Sequence, residues 1–136
     1  MILRVFLLVS AAAIAGCRFG PSGDKSQVYG SWQWIKTQGA RSGSIQTAEL
    51  SGYTARVVFH EDGRAQFFRN DSMMYEIPFS LSQTNIPGEK GIVFLVHWKN
   101  RNFPDNQYIL FDGNDTLHLT EMGTEISHYY FVRSTR

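Results

Sequence analysis

Cysteine and histidine are the residues of this chain best suited to site chemistry, and their spacing disfavours several kinds of site. Cys17 is the only cysteine, so an internal disulfide is impossible, and one thiol is a poor basis for a zinc site. No histidine lies in a His-x-x-x-His motif that would bring two metal ligands together locally. We therefore expect no metal and no cofactor. The four histidines, for which we expect surface or structural roles, are His60, His97, His118 and His128.

The sequence also disfavours catalysis. His60 and Glu61 are adjacent in "HEDG", but neighbouring residues of a strand point to opposite faces and cannot form a hydrogen-bonded dyad. Serine is plentiful, yet no Gly-x-Ser-x-Gly motif presents one of them as a nucleophile. In the late segment "TLHLTEM", alternation places His118 opposite Leu117 and Leu119, on the solvent side. We expect a protein that is not an enzyme.

The charge of the chain is balanced. Thirteen Lys and Arg residues against twelve Asp and Glu residues leave a formal net charge of +1, and the charges are scattered along the sequence. A nucleic-acid-binding surface needs a local excess of Lys and Arg, which this pattern does not supply. We expect no nucleic-acid partner.

Residues 1–16 have the layout of a secretion signal. Arg4 supplies the basic start, and residues 5–15 form an apolar run too short to span a bilayer permanently. The following run, Ile14-Ala15-Gly16-Cys17, resembles the lipobox of bacterial lipoproteins. This resemblance implies that residues 1–16 are removed as a signal peptide and that Cys17 carries acyl chains that anchor the protein to a membrane. An ordinary signal peptide, or a buried thiol at Cys17, is the alternative.

Residues 17–27 predict a flexible tether, since they are rich in Gly, Ser and Pro and have no apolar period. Arg18 follows the cysteine, at a position where inner-membrane lipoproteins of enteric bacteria usually carry Asp. The resemblance therefore implies a cell-envelope protein on the outer membrane, facing the periplasm.

Residues 28–136 predict one all-β domain. Short runs of β-branched and aromatic residues alternate with turn signals such as Glu61-Asp62-Gly63 and Asn70-Asp71, and no run has a helical period. A glycine-rich loop is predicted over residues 39–52, and Pro78 predicts an edge position, a bulge or a break. Eight strands in sequential hairpins predict an antiparallel up-and-down barrel.

Two ends of this domain carry a second resemblance. Gly30-Ser31-Trp32 in the first strand and Arg133 in the last resemble the Gly-x-Trp signature and the terminal arginine of lipocalins. The pattern over residues 28–134 is similar to the lipocalin-like domains of small bacterial lipoproteins. The resemblance implies an eight-stranded lipocalin-like barrel closed by Gly30, Trp32 and Arg133. A guanidinium over an indole independently favours this pairing, since it stabilises by about 0.5–2 kcal/mol.

The aromatic residues leave two functions open. They either fill the barrel, or line a cavity beneath the 39–52 loop that takes a small apolar ligand. We expect such a hydrophobic ligand. A filled barrel would instead serve as a protein-interaction or inhibitor module of the periplasm, acting through outward-facing aromatic groups. The candidate lining residues are Trp34, Phe59, Phe94, Tyr129 and Phe131.

Overall fold

The computed structural model describes residues 24–39, 42–105, 107–123 and 126–134. The predicted signal peptide, Cys17 and the first part of the predicted tether lie outside these residues. No helix within the described ranges is long and apolar enough to cross a membrane. The strands are β1 (Gly30–Gly39), β2 (Ile45–Thr47), β3 (Ala55–Phe59), β4 (Arg64–Arg69), β5 (Ser72–Thr84), β6 (Val93–Trp98), β7 (Gln107–Asp112), β8 (Thr116–Glu121) and β9 (Ser127–Arg133).

Eight of these strands form a closed antiparallel barrel. From β3 to β9 each strand pairs with the next along the chain, and β1 pairs with both β3 and β9. The predicted all-β, up-and-down, eight-stranded barrel is therefore confirmed. Closure gives every barrel strand two neighbours, which removes the exposed edges of an open sheet.

The segment predicted as the 39–52 loop contains regular structure. Strand β2 extends the sheet by pairing with the far end of β1, from Lys36 to Gln38. A one-turn helix, α1 (Ala48–Ser51), follows, and the Thr47 side chain caps it by accepting a hydrogen bond from the Leu50 N–H. A threonine at this position satisfies a backbone donor that one helical turn leaves unpaired. The connection between β1 and β3 is thus partly ordered by its own hydrogen bonds.

The tight turns lie where the sequence predicts them. Gly63 closes the β3–β4 turn with a φ of +88°, a left-handed conformation that glycine adopts at little cost. Asn70 and Asp71 connect β4 to β5 with φ values of 47° and 64°. Two consecutive left-handed residues match the right-handed twist of the strands that they join.

Pro78 was predicted to mark an edge, a bulge or a break. The break is absent, but Pro78 has a ladder partner in β4 alone, as at an edge. Strand β5 runs continuously through it. Residues 72–78 pair with β4 and residues 79–84 pair with β6, so the proline stands where the strand changes partner. The Pro78 carbonyl accepts a hydrogen bond from the Lys99 N–H at 2.9 Å, one residue beyond the end of β6, so the missing N–H falls where this ladder ends.

Alternate residues point into the barrel, and one half of the interior is solidly packed. A short 3₁₀ turn (Lys25–Gln27), within the predicted tether, and the buried Val28 cover this half from below. We call this the closed end; it also carries the β3–β4 and β7–β8 turns and the β5–β6 loop. The opposite, open end carries the β1–β3 connection, the β4–β5 turn and the β6–β7 and β8–β9 loops. Packed residues include Trp32, Phe59, Ile77, Phe94, Ile109 and Leu117.

Candidate functional site

The open end of the barrel contains a cavity of about 760 Å³ that reaches solvent between the loops. Strand alternation turns mainly apolar and aromatic side chains toward it, from β1, β3, β4, β6, β8 and β9. The wall includes Trp34, Val57, Phe67, Trp98, Leu119, Tyr129 and Phe131. The mouth of the cavity is lined by Tyr53, Met74, Tyr75 and Phe103.

Three of the five predicted lining residues, Trp34, Tyr129 and Phe131, lie in this wall. Phe59 and Phe94 do not. Phe59 is packed edge-on against Phe79, with ring centroids 5.2 Å apart, and Phe94 is completely buried. Both side chains point inward as alternation requires, but they lie at the level of the packed half of the barrel.

Trp34 is held at the cavity by a layered stack. Its indole stacks on the Tyr53 ring, with ring centroids 5.8 Å apart and an interplanar angle of 15°. The Arg69 guanidinium lies over the same Tyr53 ring, 4.0 Å from its centroid. The indole N–H donates to Thr37 Oγ1 at 2.9 Å. Residues 34 and 37 share a face only because the β1–β9 pairing shifts register between Trp34 and Lys36.

A second aromatic group forms the opposite side of the cavity. The Phe67 ring lies 4.8 Å from Tyr75, 5.7 Å from Trp98 and 5.9 Å from Phe103. These four residues come from β4, β5, β6 and the β6–β7 loop. Burial raises the pKa of the Tyr75 hydroxyl, so this residue stays neutral at physiological pH.

A chain of polar side chains crosses this apolar wall. The Trp98 indole N–H donates to Gln107 Oε1 at 2.7 Å, and Gln107 Nε2 donates to Glu121 Oε1 at 3.3 Å. Burial, and next the negative charge of Glu121, raise the pKa of Tyr129. Sequence reasoning missed Gln107 and Glu121. Each lies two positions along its strand from an inward-facing residue, Ile109 or Leu119, and alternation could have placed both on the inner face.

The predicted closure residues meet at the closed end, away from the cavity. The Arg133 guanidinium lies 4.2 Å over the Trp32 ring and donates to the carbonyls of Gln27, at 2.9 Å, and Tyr29, at 3.3 Å. Gly30 adopts a φ of +123°, and a Cβ atom there would lie 3.1 Å from Arg133 Nη1. These contacts join the first and last strands and secure the chain beneath the barrel.

Two histidines meet on the outer wall, which the sequence reasoning did not anticipate. His118 Nε2 lies 2.9 Å from His128 Nδ1 across β8 and β9, and the His118 ring stacks on Tyr130 at 4.4 Å. His118 is on the outer face as predicted, but it is half-buried. Burial, then the charges of His128 and Lys36, lower its pKa.

The other histidines hold side chains of neighbouring strands, His60 with Gln66 at 2.7 Å and His97 with Ser82 at 2.8 Å. In the part of the chain that the structure describes, no three His, Cys, Asp or Glu side chains converge to hold a metal ion. The histidines are therefore arranged as pairs and single contacts rather than as one site.

The rim of the open end exposes large apolar side chains. Leu50 of α1 is 74% exposed, and Met73 and Met74 beside the β4–β5 turn are each more than half exposed. We call this set of exposed apolar residues the open-end rim. The other members of the rim are Ile45 and Met122. Such grouped exposure is typical of a surface that meets a ligand or another protein.

Compared with known proteins, the chain matches no protein-family model and no curated sequence. The functional assignment therefore rests on the geometry of the cavity and its lining residues.

Proposed function

We propose that this protein binds a small hydrophobic ligand in the open-end cavity of a lipocalin-like barrel, that it is not an enzyme, and that it is anchored by lipid in the bacterial cell envelope. The observation that carries the binding proposal is the aromatic cavity of about 760 Å³. Small-molecule sites have volumes of about 300–1,000 Å³, mostly apolar walls and a few polar groups that orient the ligand. The cavity has all three properties.

The closed end supports this function by making the wall rigid. The side chains below the cavity are closely packed, and this packing restricts the movement of the rings that rest on them. An apolar ligand that enters removes its own surface and that of the wall from water, at about 25 cal/mol per Å². Little of this gain is lost to ordering of the site, because Trp34 and Trp98 are already hydrogen-bonded.

Titration with the neutral fluorophore N-phenyl-1-naphthylamine tests the proposal. We expect saturable binding of one molecule with a strong rise in its emission. Val57→Trp places an indole in the cavity and should abolish this binding, whereas Val58→Trp, one residue along on the outer face, should leave it unchanged. Thermal unfolding would verify that both variants are folded. No saturable binding by the folded wild-type protein would refute the proposal.

Lipid anchoring rests on the lipobox resemblance at Cys17 and agrees with the direction of the barrel. The described chain enters at the closed end through the Lys25–Gln27 turn, so a tether ahead of this turn joins the barrel at the end opposite the cavity mouth. This arrangement keeps the mouth accessible to ligands in the periplasm. Intact-mass analysis of membrane-extracted protein should show cleavage before Cys17 and added acyl chains. The Cys17→Ser variant should be neither cleaved nor acylated, and it should be absent from the outer-membrane fraction.

The open-end rim favours a second candidate function, contact with a periplasmic protein. A partner would cover Leu50, Met73 and Met74, which water now surrounds. Photo-crosslinking from position 74 in cells should then yield one discrete adduct, with position 97 on the outer wall as the control. Equal crosslinking from both positions would contradict a specific partner at the rim.

A further inference from the structure

Glu121 is the one acidic side chain among the described residues that line the cavity. It ends β8 on the inward-facing row and lies opposite Gln107, which is itself buried. Its hydrogen-bond donors there are neutral groups, the Gln107 amide at 3.3 Å and the Tyr129 hydroxyl. No Lys, Arg or His of the described chain forms an ion pair with it.

The surroundings of Glu121 suit a positive charge. Tyr129 stands close by on the neighbouring strand β9, and Trp98 is joined to Glu121 through Gln107. The negative faces of aromatic rings attract cations. A carboxylate in a partly dry, apolar wall is stabilised by an opposite charge that arrives with its own apolar body. Ring faces together with one carboxylate are the chemistry that recognises organic ammonium groups.

We propose that the cavity selects amphiphilic organic cations, with an apolar or aromatic body against the rings and an ammonium group on the Glu121 carboxylate. This inference rests on the proposed ligand-binding function and adds the chemical class of the ligand.

The arginines near the mouth do not favour the opposite charge. The Arg69 guanidinium is engaged over the Tyr53 ring, and Arg56 lies 4.0 Å over the Phe68 ring on the outer side of β3 and β4. Both residues border the cavity, but each guanidinium is already held over a ring, and that of Arg56 also donates to Ser31 Oγ at 3.4 Å.

Three probes with one naphthalene body and different head groups separate the possibilities: 2-(1-naphthyl)ethylamine, 2-(1-naphthyl)ethanol and 1-naphthaleneacetate. Calorimetry at pH 7 should give an affinity for the amine about tenfold or more above that for the alcohol, since a charged hydrogen bond is involved. The acetate should bind most weakly. Glu121→Gln keeps the shape of the side chain and should bring amine and alcohol to within about twofold of each other.

Glu89→Gln removes the same charge from an exposed loop at the closed end and serves as the matched control, which should keep the preference. Equal binding of amine and alcohol to the wild-type protein, or a preference that survives Glu121→Gln, would overturn the inference while leaving ligand binding intact. Failure of all three probes to bind would overturn the inference and the proposed function together.

Discussion

Trp32 and Trp34 stand two residues apart on the same face of β1, yet they belong to different ends of the barrel. Trp32 is fully enclosed, with Arg133 over its ring and its N–H donated to the Val28 carbonyl at 2.7 Å. Trp34 stacks on Tyr53, donates its N–H to Thr37 Oγ1, and borders the cavity. The same residue type therefore completes a packed end in one case and forms the wall of a site in the other.

The difference shows how a small barrel combines a stable end with a binding end. At the closed end the N-terminal segment occupies the space that a ligand would need, because Val28 is buried beneath the sheet and Gln27 is held by Arg133. At the open end the β1–β3, β6–β7 and β8–β9 connections form a rim rather than a plug. Apolar area that is buried below stabilises the fold, whereas apolar area left open above is available to a ligand.

Replacing each tryptophan by alanine gives the largest expected effect. Trp32→Ala should lower the free energy of unfolding by about 3–5 kcal/mol, because it leaves a dry cavity in a packed region. Trp34→Ala should lower it by about 1–2 kcal/mol, because its side chain already borders open space. Urea unfolding followed by circular dichroism measures both values.

Binding of N-phenyl-1-naphthylamine should show the reverse order. Folded Trp32→Ala protein keeps the wall of the cavity, whereas Trp34→Ala removes part of it and should weaken binding more. Equal losses of stability from the two substitutions would mean that the ends are not divided as the packing indicates.

Arg133→Met should have the next largest effect. It removes the cation–π contact with Trp32 and two hydrogen bonds to backbone carbonyls, which together contribute about 1–3 kcal/mol. Arg69→Met, its counterpart at the open end, loses a stacking contact over Tyr53 and should cost about 0.5–1 kcal/mol.

Acrylamide quenching of tryptophan fluorescence locates the Arg133→Met effect. Loosening of the Lys25–Gln27 turn should expose Trp32, and quenching should increase before unfolding begins. Unchanged quenching together with unchanged stability would show that Arg133 does not secure the closed end.

The barrel could be predicted from the sequence because its neighbours in space are its neighbours along the chain. Turns such as Asn70-Asp71 connect adjacent strands directly, so local signals determine most of the pairing. The sequence left three alternatives open for Pro78 because its effect depends on which strand lies opposite, and β5 changes partner there. That change is a property of the closed sheet and leaves no local trace.

The site was less predictable because alternation tells which face a side chain takes but not its height along the barrel. Phe59 and Trp34 both point inward, and only the packing of the 3₁₀ turn below decides that one is core and the other wall. Contacts that depend on register were missed for a related reason. His118 meets His128 diagonally, since its direct partner across the ladder is Tyr130.

The outer wall between the two ends gives the smallest expected effect, through pH. His118 faces His128 and Tyr130 of β9, and Lys36 of β1 lies 4.7 Å over the Tyr130 ring. Burial first, then the charges of His128 and Lys36, hold the pKa of His118 below its ordinary value of 6.5. As the pH falls below that value, the unfolded chain takes up this proton before the folded protein does. Stability is therefore expected to be complete at pH 7 and to decrease toward pH 5.

Urea midpoints measured from pH 7.5 to pH 5 should decrease, and His118→Gln should flatten that decrease, because glutamine carries no titrating proton. His97→Gln, at an exposed position on β6, is the control that should leave the slope unchanged.

Single-tryptophan proteins that keep only Trp32 or only Trp34 report the same unfolding transition separately from the closed end and from the open end. Because β8 and β9 run the full height of the barrel, both reporters should shift together. A shift of the Trp34 signal alone would show that the open end unfolds independently of the packed end.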